Sequence, residues 1–329
     1  MSKQIYKDKF YTHFDKKKYH TNYEQSVQNI NWVSRHGFYP FIHFQMDCSK
    51  YTNDLEGNKF IKEKNRDIYY AAHIDRFIYE YYGNRLNSKY NNYMKSKGIG
   101  RVSTAYRNCS PGKCNIDFAK EVFEYIAKCE SAYIFVGDFS KFFDNLDHRY
   151  LKEKIKCVVG EKSLDVADYA IYKNITKFTY VEAEDIEAEK GLFRRDMREL
   201  DKYFETDEFH DFKKKYLHKN SKDYQIPQGS SISAVYANVY MIDFDKRIND
   251  FITSQKGIYR RYCDDIIVVI PMTHNEINCG RNEEISKFIY DTRDGIPNLK
   301  LNEDKTEHFF YNNGKIEKIK GQSNLINYL

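Results

Sequence analysis

The 329-residue chain lacks several features that would place it outside the cell or in a membrane. No apolar run approaches the 18 or more residues of a membrane-spanning helix, and its first residues lack the apolar segment of a secretory signal. Seven cysteines are an odd number and are scattered, and Cys109 and Cys114 have no second pair with which to form a zinc site. We therefore expect reduced thiols in a soluble, cytoplasmic protein that has no membrane partner.

Charge alone does not identify a partner, because the formal net charge is only +5. The basic residues are nevertheless clustered beside aromatics at 16–18, 194–195 and 213–215. Such clusters suit nucleic-acid phosphates and stacked bases, although they are equally compatible with solvated helix faces. No Ser/His/Asp or Cys/His motif suggests covalent catalysis. Most of the 30 tyrosines and 23 phenylalanines are expected to build the core and its rim.

Two adjacent acids, Asp264 and Asp265, interrupt a strand-forming run at 258–270. This pattern predicts a short hairpin with both carboxylates at its tip. Rigid paired carboxylates suit a divalent metal, although most Asp-Asp pairs lie on solvated turns. A second apolar strand at 133–136 leads to Asp138. If the two strands are neighbours, Asp138 and Asp264 can share two Mg²⁺ ions in a nucleotidyl transfer, with Mn²⁺ as the alternative metal.

Five sequence motifs resemble those of bacterial reverse transcriptases, in the same order. They are Tyr-x-Asp-Asp at 262–265, Asp-x-x-x-Phe-Phe-Asp-x-x-x-His at 138–148, Pro-Gln-Gly…Ser…Asn within 226–238, a Lys-Thr motif within 301–307, and Arg66 nine residues before Asp75-Arg76. Together they span most of the chain. Segments 36–42, 104–107 and 174–181 are similar to the abortive-infection and related phage-defence reverse transcriptases.

The resemblance implies roles for the residues around the paired acids. Asp138 and Asp264 would hold both metals, Asp265 would support the site, and the Phe139 carbonyl would add an oxygen. Phe143 would sit under the sugar and exclude a 2′-hydroxyl, unless Phe142 and Phe143 are both core rings. Tyr262 would pack under the turn, and Cys263 would contact the primer end without acting as a nucleophile.

Four other residues receive roles in nucleotide binding from the same resemblance. Arg66 would reach the triphosphate, assisted by Lys62 or Lys64, because a guanidinium matches phosphate oxygens. Gln228 and Gly229 would face the nascent base pair, unless they form an ordinary helix-start turn. Lys305 would neutralise or protonate the departing pyrophosphate, unless it is a surface lysine.

The chain is expected to adopt an α+β, right-hand polymerase fold with helical fingers and an antiparallel-sheet palm. The predicted divisions are an N-terminal extension at 1–60, fingers at 61–130, and a palm at 131–329 with a helical insertion at 159–222. Within them we predict helices at 67–82, ending at Gly83-Asn84, at 117–129, near 147–158, from Ser230 or Ser231 to about Phe251, and near 282–292. We expect a strand near 306–311 and another at 324–329, with no thumb after Lys305.

Three functions remain open at the level of sequence. The first is an RNA-directed DNA polymerase in antiphage defence, which uses dNTPs, an RNA template or non-coding RNA, and a DNA product. The second is template-independent or protein-primed synthesis by the same site. The third is a catalytically idle RNA-binding scaffold or sensor. For the grip on the duplex three alternatives are open: the natural chain continues into a thumb, a second copy in a homo-oligomer or a partner protein supplies the grip, or the N-terminal 60 residues take it over.

Overall fold

The computed structural model describes residues 8–53, 59–108, 112–322, Ile326 and Tyr328. The side chains of Lys62 and Lys64 and most of the predicted strand at 324–329 lie outside the described residues. Helices and antiparallel strands are mixed without strict alternation, which confirms the α+β class. None of the helices within these ranges is long and apolar enough to span a bilayer.

Helices account for most of the regular structure. The α-helices are α1 Glu24–Gln28, α2 Ile30–Ser34, α3 His73–Ser96, α4 Asn115–Ala127, α5 His148–Val159, α6 Val166–Thr176, α7 Ala183–Lys190, α8 Thr206–Tyr216, α9 Ser231–Tyr240, α10 Ile242–Ser254, α11 His274–Asn278 and α12 Arg281–Asp294. Short 3₁₀ helices lie at His20–Asn22, Phe142–Asn145 and Glu303–Lys305. The predicted helices near 117–129, 147–158 and 282–292 are confirmed as α4, α5 and α12.

The strands form two sheets. They are β1 Phe41–Asn53, β2 Lys59–Tyr70, β3 Ser131–Asp138, β4 Thr179–Glu182, β5 His218–Lys219, β6 Ile258–Tyr262, β7 Asp265–Pro271, β8 Glu307–Asn312 and β9 Lys315–Lys320. One sheet has the order β2-β1-β4-β5 and the other the order β6-β7-β3-β8-β9. The predicted hairpin at 258–270 and the strand near 306–311 are confirmed as β6–β7 and β8.

The second sheet is antiparallel, and its central strand β3 is buried on both faces. Residues of β3 and β7 alternate between the two faces, and one face packs against α4 through Val122 and Ile126. Asp138 is the last residue of β3 and therefore lies where the apolar strand ends. Ile326 and Tyr328 also pack on this core.

Two helix predictions were wrong. The segment 67–82 begins as strand β2, and α3 starts only at His73 and continues through Gly83 to Ser96. Gly83 lies inside α3 and does not end it, and a Cβ there would make an ordinary contact, 3.5 Å, with the Ile232 backbone. The helix predicted to run to Phe251 is broken at Met241 into α9 and α10, although Ser230 caps its start by accepting from Ser233 N at 3.3 Å.

Strands β1, β2, β4 and β5, which form one sheet, were missed by sequence reasoning. Residues 41–53 and 59–70 are rich in polar side chains, so no apolar alternation marks them. The partner of β1 is also distant in sequence. It pairs in parallel with β4, with Phe41 opposite Tyr180 and Ile42 opposite Val181. The segment 159–222, predicted as a helical insertion, thus also supplies strands to a sheet.

The chain divides into two compact units. Unit 1 comprises the described parts of Met1–Lys50, Ile61–Leu86 and Gly160–Ala234. Unit 2 comprises those of Tyr51–Phe60, Asn87–Val159 and Val235–Leu329. Phe14, Ile42, Val181, Phe204 and Phe212 belong to the core of unit 1. The core of unit 2 includes Ile134, Val136, Ile267, Val269 and Phe309.

Acid should weaken unit 2 through His308 on β8. Burial, with a smaller contribution from the Lys320 ammonium, lowers the pKa of His308 to about 4. As pH falls below the ordinary histidine pKa of about 6.5, His308 becomes protonated in the unfolded chain but stays neutral in the folded chain. The free energy of unfolding therefore falls until about pH 4, where the folded chain is protonated as well. Between pH 7 and pH 5 we expect a loss of about 2 kcal/mol attributable to this residue. Denaturant unfolding at the two pH values measures it.

His308→Gln should flatten this pH dependence, whereas His210→Gln, at an exposed position on α8, should leave it as in the wild type. Equal slopes in all three proteins would show that His308 is not the group responsible.

Candidate active site

The two acids of the hairpin lie next to Asp138. Tyr262 pairs with Asp265 across the hairpin, so Cys263 and Asp264 form a two-residue turn. In the β3–β7 register Asp138 lies directly opposite Asp265. Directly opposite residues of an antiparallel pair project from the same face. The neighbour relation expected between the two acid-bearing strands is therefore present in unit 2.

Backbone hydrogen bonds hold this end of the sheet together. Phe139 N donates to the Asp264 carbonyl at 3.1 Å, and Asn302 N donates to the Asp138 carbonyl at 2.7 Å. Ser140 N donates to the Lys300 carbonyl at 2.8 Å. The three chain segments that carry Asp138, Asp264 and the Lys-Thr motif are thus tied to one another.

Lys305 contacts the Asp138 carboxylate directly. Its Nζ donates to Asp138 Oδ2 at 2.5 Å, with the carboxylate side chain 12% exposed and the lysine side chain 43% exposed. The buried end of β3 therefore already holds a cation against the Asp138 carboxylate. This contact argues against the alternative that Lys305 is an unengaged surface lysine.

The donor chemistry of this region fits a hard divalent cation. Within the described residues no three His, Cys, Asp or Glu side chains form a metal cluster by themselves. Mg²⁺ does not require one, because it commonly uses one or two carboxylates and takes its other oxygens from water and substrate phosphates. The Lys305 ammonium shows that the Asp138 carboxylate accepts a positive partner. Asp138, Asp264, Asp265 and the Phe139 carbonyl remain the predicted ligands.

Cys263 is a structural residue of the turn. Its φ of 57° lies in the left-handed region, which is unusual for a non-glycine residue. Burial raises the pKa of its thiol, and the Asp264 carboxylate adds to the effect, so the thiol stays neutral. The predicted role of Cys263 at the primer end, without acting as a nucleophile, stays a prediction.

Behind the turn lies a buried ion pair that sequence reasoning missed. Arg261 on β6 and Asp245 on α10 both have side chains that are 0% exposed. Arg261 Nε donates to Asp245 Oδ1 at 2.8 Å and its Nη2 to Oδ2 at 2.7 Å, a bidentate pair. Burial alone would lower the pKa of the guanidinium, but the Asp245 carboxylate raises it above its ordinary value.

The ion pair reaches the turn itself. Arg261 Nη1 donates to the Cys263 carbonyl at 2.8 Å and to Asn238 Oδ1 at 3.1 Å. Tyr259 Oη donates to Asp245 Oδ1 at 2.8 Å. Arg261 therefore fixes the backbone that carries Asp264. A signal was present, because Asp245 is a charged residue on the buried face that α10 forms with Ile242, Ile248 and Ile252.

The two phenylalanines after Asp138 differ in burial. Phe142 is 4% exposed and stacks with Phe139 at a ring distance of 5.9 Å. Phe143 is only half-buried, at 5.8 Å from Phe142. Phe142 is a core ring, and Phe143 keeps a face accessible, as a residue that meets a sugar requires. Tyr262 is half-buried and packs against the apolar core of unit 2.

Arg66, Gln228 and Gly229 belong to unit 1, whereas the acids and Lys305 belong to unit 2. Arg66 is exposed on β2. The Gln228 carbonyl accepts from Tyr69 N at 2.8 Å. Gly229 has a φ of +128°, and a Cβ there would lie 2.6 Å from the Tyr69 carbonyl oxygen. Glycine is therefore required at 229 because the Tyr69 backbone passes too close for a side chain. The predicted contact of Gly229 with a base pair stays a prediction.

Comparison with known proteins adds distant structural similarity only. No protein-family model and no curated protein matches the sequence. Among solved structures the chain is similar to apo telomerase from Candida tropicalis truncated from its C-terminal domain, with 13% identity, a TM-score of 0.48, and coverage of 94% of this chain and 57% of that chain.

Two further similar structures are telomerases in complex with a TWJ fragment of telomeric RNA. The one from Candida tropicalis has 13% identity and a TM-score of 0.46, covering 87% of this chain and 44% of that one. The one from Candida albicans has 11% identity and a TM-score of 0.48, covering 93% and 47%. The chain thus spans about half the length of these proteins.

Proposed function

We propose that this chain is an RNA-directed DNA polymerase that adds dNTPs to a 3′-hydroxyl with two Mg²⁺ ions, Mn²⁺ being the alternative metal. The observation that carries the proposal is the convergence of Asp138, the Asp264-Asp265 turn and Lys305 at one end of an antiparallel sheet. The five motifs that resemble bacterial reverse transcriptases support it. In this assignment unit 2 supplies the palm, while Arg66, Gln228 and Gly229 contribute to nucleotide and template binding.

The residues of the site have separable tasks. Asp138 and Asp264, with Asp265 and the Phe139 carbonyl in support, would hold the metals, which when bound lower the pKa of the primer hydroxyl and stabilise the charge on the phosphates. Arg261 holds the turn, and burial of the Asp138 carboxylate limits competing water. Lys305 neutralises Asp138 in the absence of substrate and supplies positive charge, or a proton, to the pyrophosphate that leaves when the new O–P bond forms.

A polymerisation assay tests the function. The purified chain is supplied with each labelled dNTP separately, with and without a primed RNA template, and in Mg²⁺ or Mn²⁺. Incorporation directed by the template sequence is the expected result. Incorporation without template, or label attached to the protein, would replace the proposal by untemplated or protein-primed synthesis. A complete lack of incorporation under all conditions would favour an RNA-binding scaffold or sensor.

We further propose that the activity serves antiphage defence, because the segments at 36–42, 104–107 and 174–181 are similar to those of defence-associated reverse transcriptases. Phage should form fewer plaques on cells that express the wild-type chain than on cells that express Asp264→Asn. Equal plaque counts would remove the defence assignment and leave the polymerase assignment intact.

Sugar selection should depend on Phe143. Phe143→Ala removes the ring that would collide with a 2′-hydroxyl, so the preference for dNTP over rNTP should fall by about ten-fold or more, with a modest loss of dNTP incorporation. The ratio of kcat/KM values for dCTP and CTP measures it.

Phe142→Ala is the matched control, since it removes the same ring from the core. It should cost about 3 kcal/mol of unfolding free energy and leave sugar selection unchanged. If Phe143→Ala keeps the wild-type preference and is merely less stable, Phe143 is a core ring and the sugar is selected elsewhere.

A further inference from the structure

Unit 1 carries an arginine-lined cavity that plays no part in the proposed chemistry. Its volume is about 340 Å³, and its lining is Glu187, Phe193, Arg194, Arg195 and Arg198. These residues lie on the end of α7 and on the segment that connects α7 to α8. Phe193 is 65% exposed and Leu192 is 49% exposed. Large apolar side chains next to three arginines are costly to leave in water and point to a ligand that has both charge and a flat apolar face.

The cavity wall is anchored to the fold. The buried Thr12 hydroxyl donates to the Met197 carbonyl at 2.8 Å, and Met197 itself is 0% exposed in the core of unit 1. Tyr203 N donates to the His13 carbonyl at 2.9 Å. The arginines therefore project from a segment whose backbone is held at its C-terminal end.

The same anchoring brings a second basic cluster to the cavity. Lys17 Nζ donates to the Arg198 carbonyl at 3.2 Å, so the lysines at 16–18 lie beside the arginines although some 180 residues separate them in sequence. Lys17 N also donates to Asp201 Oδ1 at 3.3 Å, and Lys16 pairs with the same carboxylate at 3.9 Å. The two basic clusters form one surface, which the sequence alone did not show.

Two of the arginines keep their charge available. Glu187 Oε1 accepts from the Arg194 backbone at 2.6 Å, and the Arg194 guanidinium lies 4.2 Å from the Phe44 ring centroid. Arg195 pairs weakly with its neighbour Asp196 at 3.4 Å, and its guanidinium lies over one face of the Phe193 ring, 5.5 Å from the centroid. The Glu187 carboxylate also lines the cavity, but among the described residues neither the Arg194 nor the Arg198 guanidinium forms an ion pair with a carboxylate. Both can therefore bind an anion without first breaking an ion pair.

We propose that this cavity binds single-stranded nucleic acid, with backbone phosphates on Arg194 and Arg198 and a base on the face of Phe193. A guanidinium fork matches phosphate oxygens, and an aromatic ring stacks any base, so the site should be strong in salt dependence and weak in sequence preference. The site is separate in sequence from the acids of unit 2 and does not depend on their being catalytic.

Binding of a fluorescein-labelled 20-mer of deoxythymidine, followed by anisotropy between 50 and 300 mM salt, tests the proposal. Arg194→Gln/Arg198→Gln should weaken binding about ten-fold at low salt and reduce the slope of log K against log salt by about 1.4, because each lost phosphate contact on a single strand removes about 0.7. Phe193→Ala should weaken binding about five-fold with no change of slope, whereas Phe193→Tyr should bind as the wild type does.

Lys315→Gln/Lys318→Gln on the exposed strand β9 makes the same change in net charge and should bind within two-fold of the wild type. A 4-thiouridine 20-mer, photocrosslinked and digested, should give adducts within 187–198 in the wild type and in Asp264→Asn. This second measurement distinguishes binding at the cavity from the proposed polymerase activity. If the polymerase proposal is wrong, the crosslinks within 187–198 should still form.

Three results would overturn the proposal. They are an unchanged affinity and slope in the double arginine variant, an equal loss in the β9 control, and crosslinks that avoid 187–198. Displacement of the 20-mer by poly-glutamate at equal charge concentration, equally well in the wild type and in Phe193→Ala, would instead indicate an acidic polypeptide as the ligand.

Discussion

Asp264→Asn should abolish nucleotide incorporation, by about 10³-fold or more, while the protein remains folded. The substitution keeps the size of the side chain and removes one negative charge from the turn beside Asp138. A two-metal site that loses a shared carboxylate loses several kcal/mol of transition-state stabilisation, and each 1.4 kcal/mol is a factor of ten in rate. Single-turnover incorporation of a templated dNTP measures the effect.

Asp291→Asn is the matched control, because it makes the same change at an exposed position on α12. It should keep wild-type rates, and both variants should unfold within about 1 kcal/mol of the wild type. Wild-type incorporation by Asp264→Asn would remove Asp264 from the site.

The register makes a comparison with Asp265 informative. Sequence reasoning favoured Asp264 as the partner of Asp138, whereas the strand pairing puts Asp265 directly opposite Asp138 and ties Phe139 N to the Asp264 carbonyl. Both acids thus lie within one residue of the facing position. If Asp265→Asn loses more activity than Asp264→Asn, the roles of the two acids are exchanged. If it loses less, Asp265 supports the site as expected.

What could be predicted from the sequence was local. The hairpin around Asp264 was predictable because strand-forming residues flank the acids within a few positions, and Asp138 because an apolar strand leads to it. The Arg261–Asp245 pair was only half predictable: Asp245 on the apolar face of α10 indicates that a buried partner is needed, but the sequence does not show that the partner is Arg261 on another element. The pairing of β1 with β4 joins residues about 140 positions apart, and the polar composition of β1 hides its strand character.

The basic surface of unit 1 illustrates the same limit. The arginines at 194–195 and the lysines at 16–18 were recognisable as clusters, with solvated helix faces as an equal alternative. Only the contacts of Thr12 and Lys17 with the segment at 197–200 bring the two clusters together. Composition identified the kind of residue, whereas the fold determined which clusters act jointly.

The largest loss of stability is expected from breaking the buried pair behind the turn. Arg261→Met leaves the Asp245 carboxylate fully buried, with the Tyr259 hydroxyl as its remaining side-chain donor among the described residues, and should cost about 3–5 kcal/mol of unfolding free energy. Asp245→Leu should cost a similar amount, because it leaves the buried Arg261 guanidinium without its carboxylate partner. Denaturant unfolding measures both, and Arg247→Met on the exposed side of α10 is the control, with a cost of about 0.5 kcal/mol.

The double variant Arg261→Met/Asp245→Leu decides why the pair matters. Without either charge, much of the lost stability should return, because no buried ion is left unpaired. Activity should not return with it, since the Cys263 carbonyl still lacks the Arg261 donor that fixes the turn. A double variant that is stable and fully active would show that Arg261 serves only the core. One that is stable but slow, with kcat reduced more than KM is raised, would show that the ion pair positions Asp264.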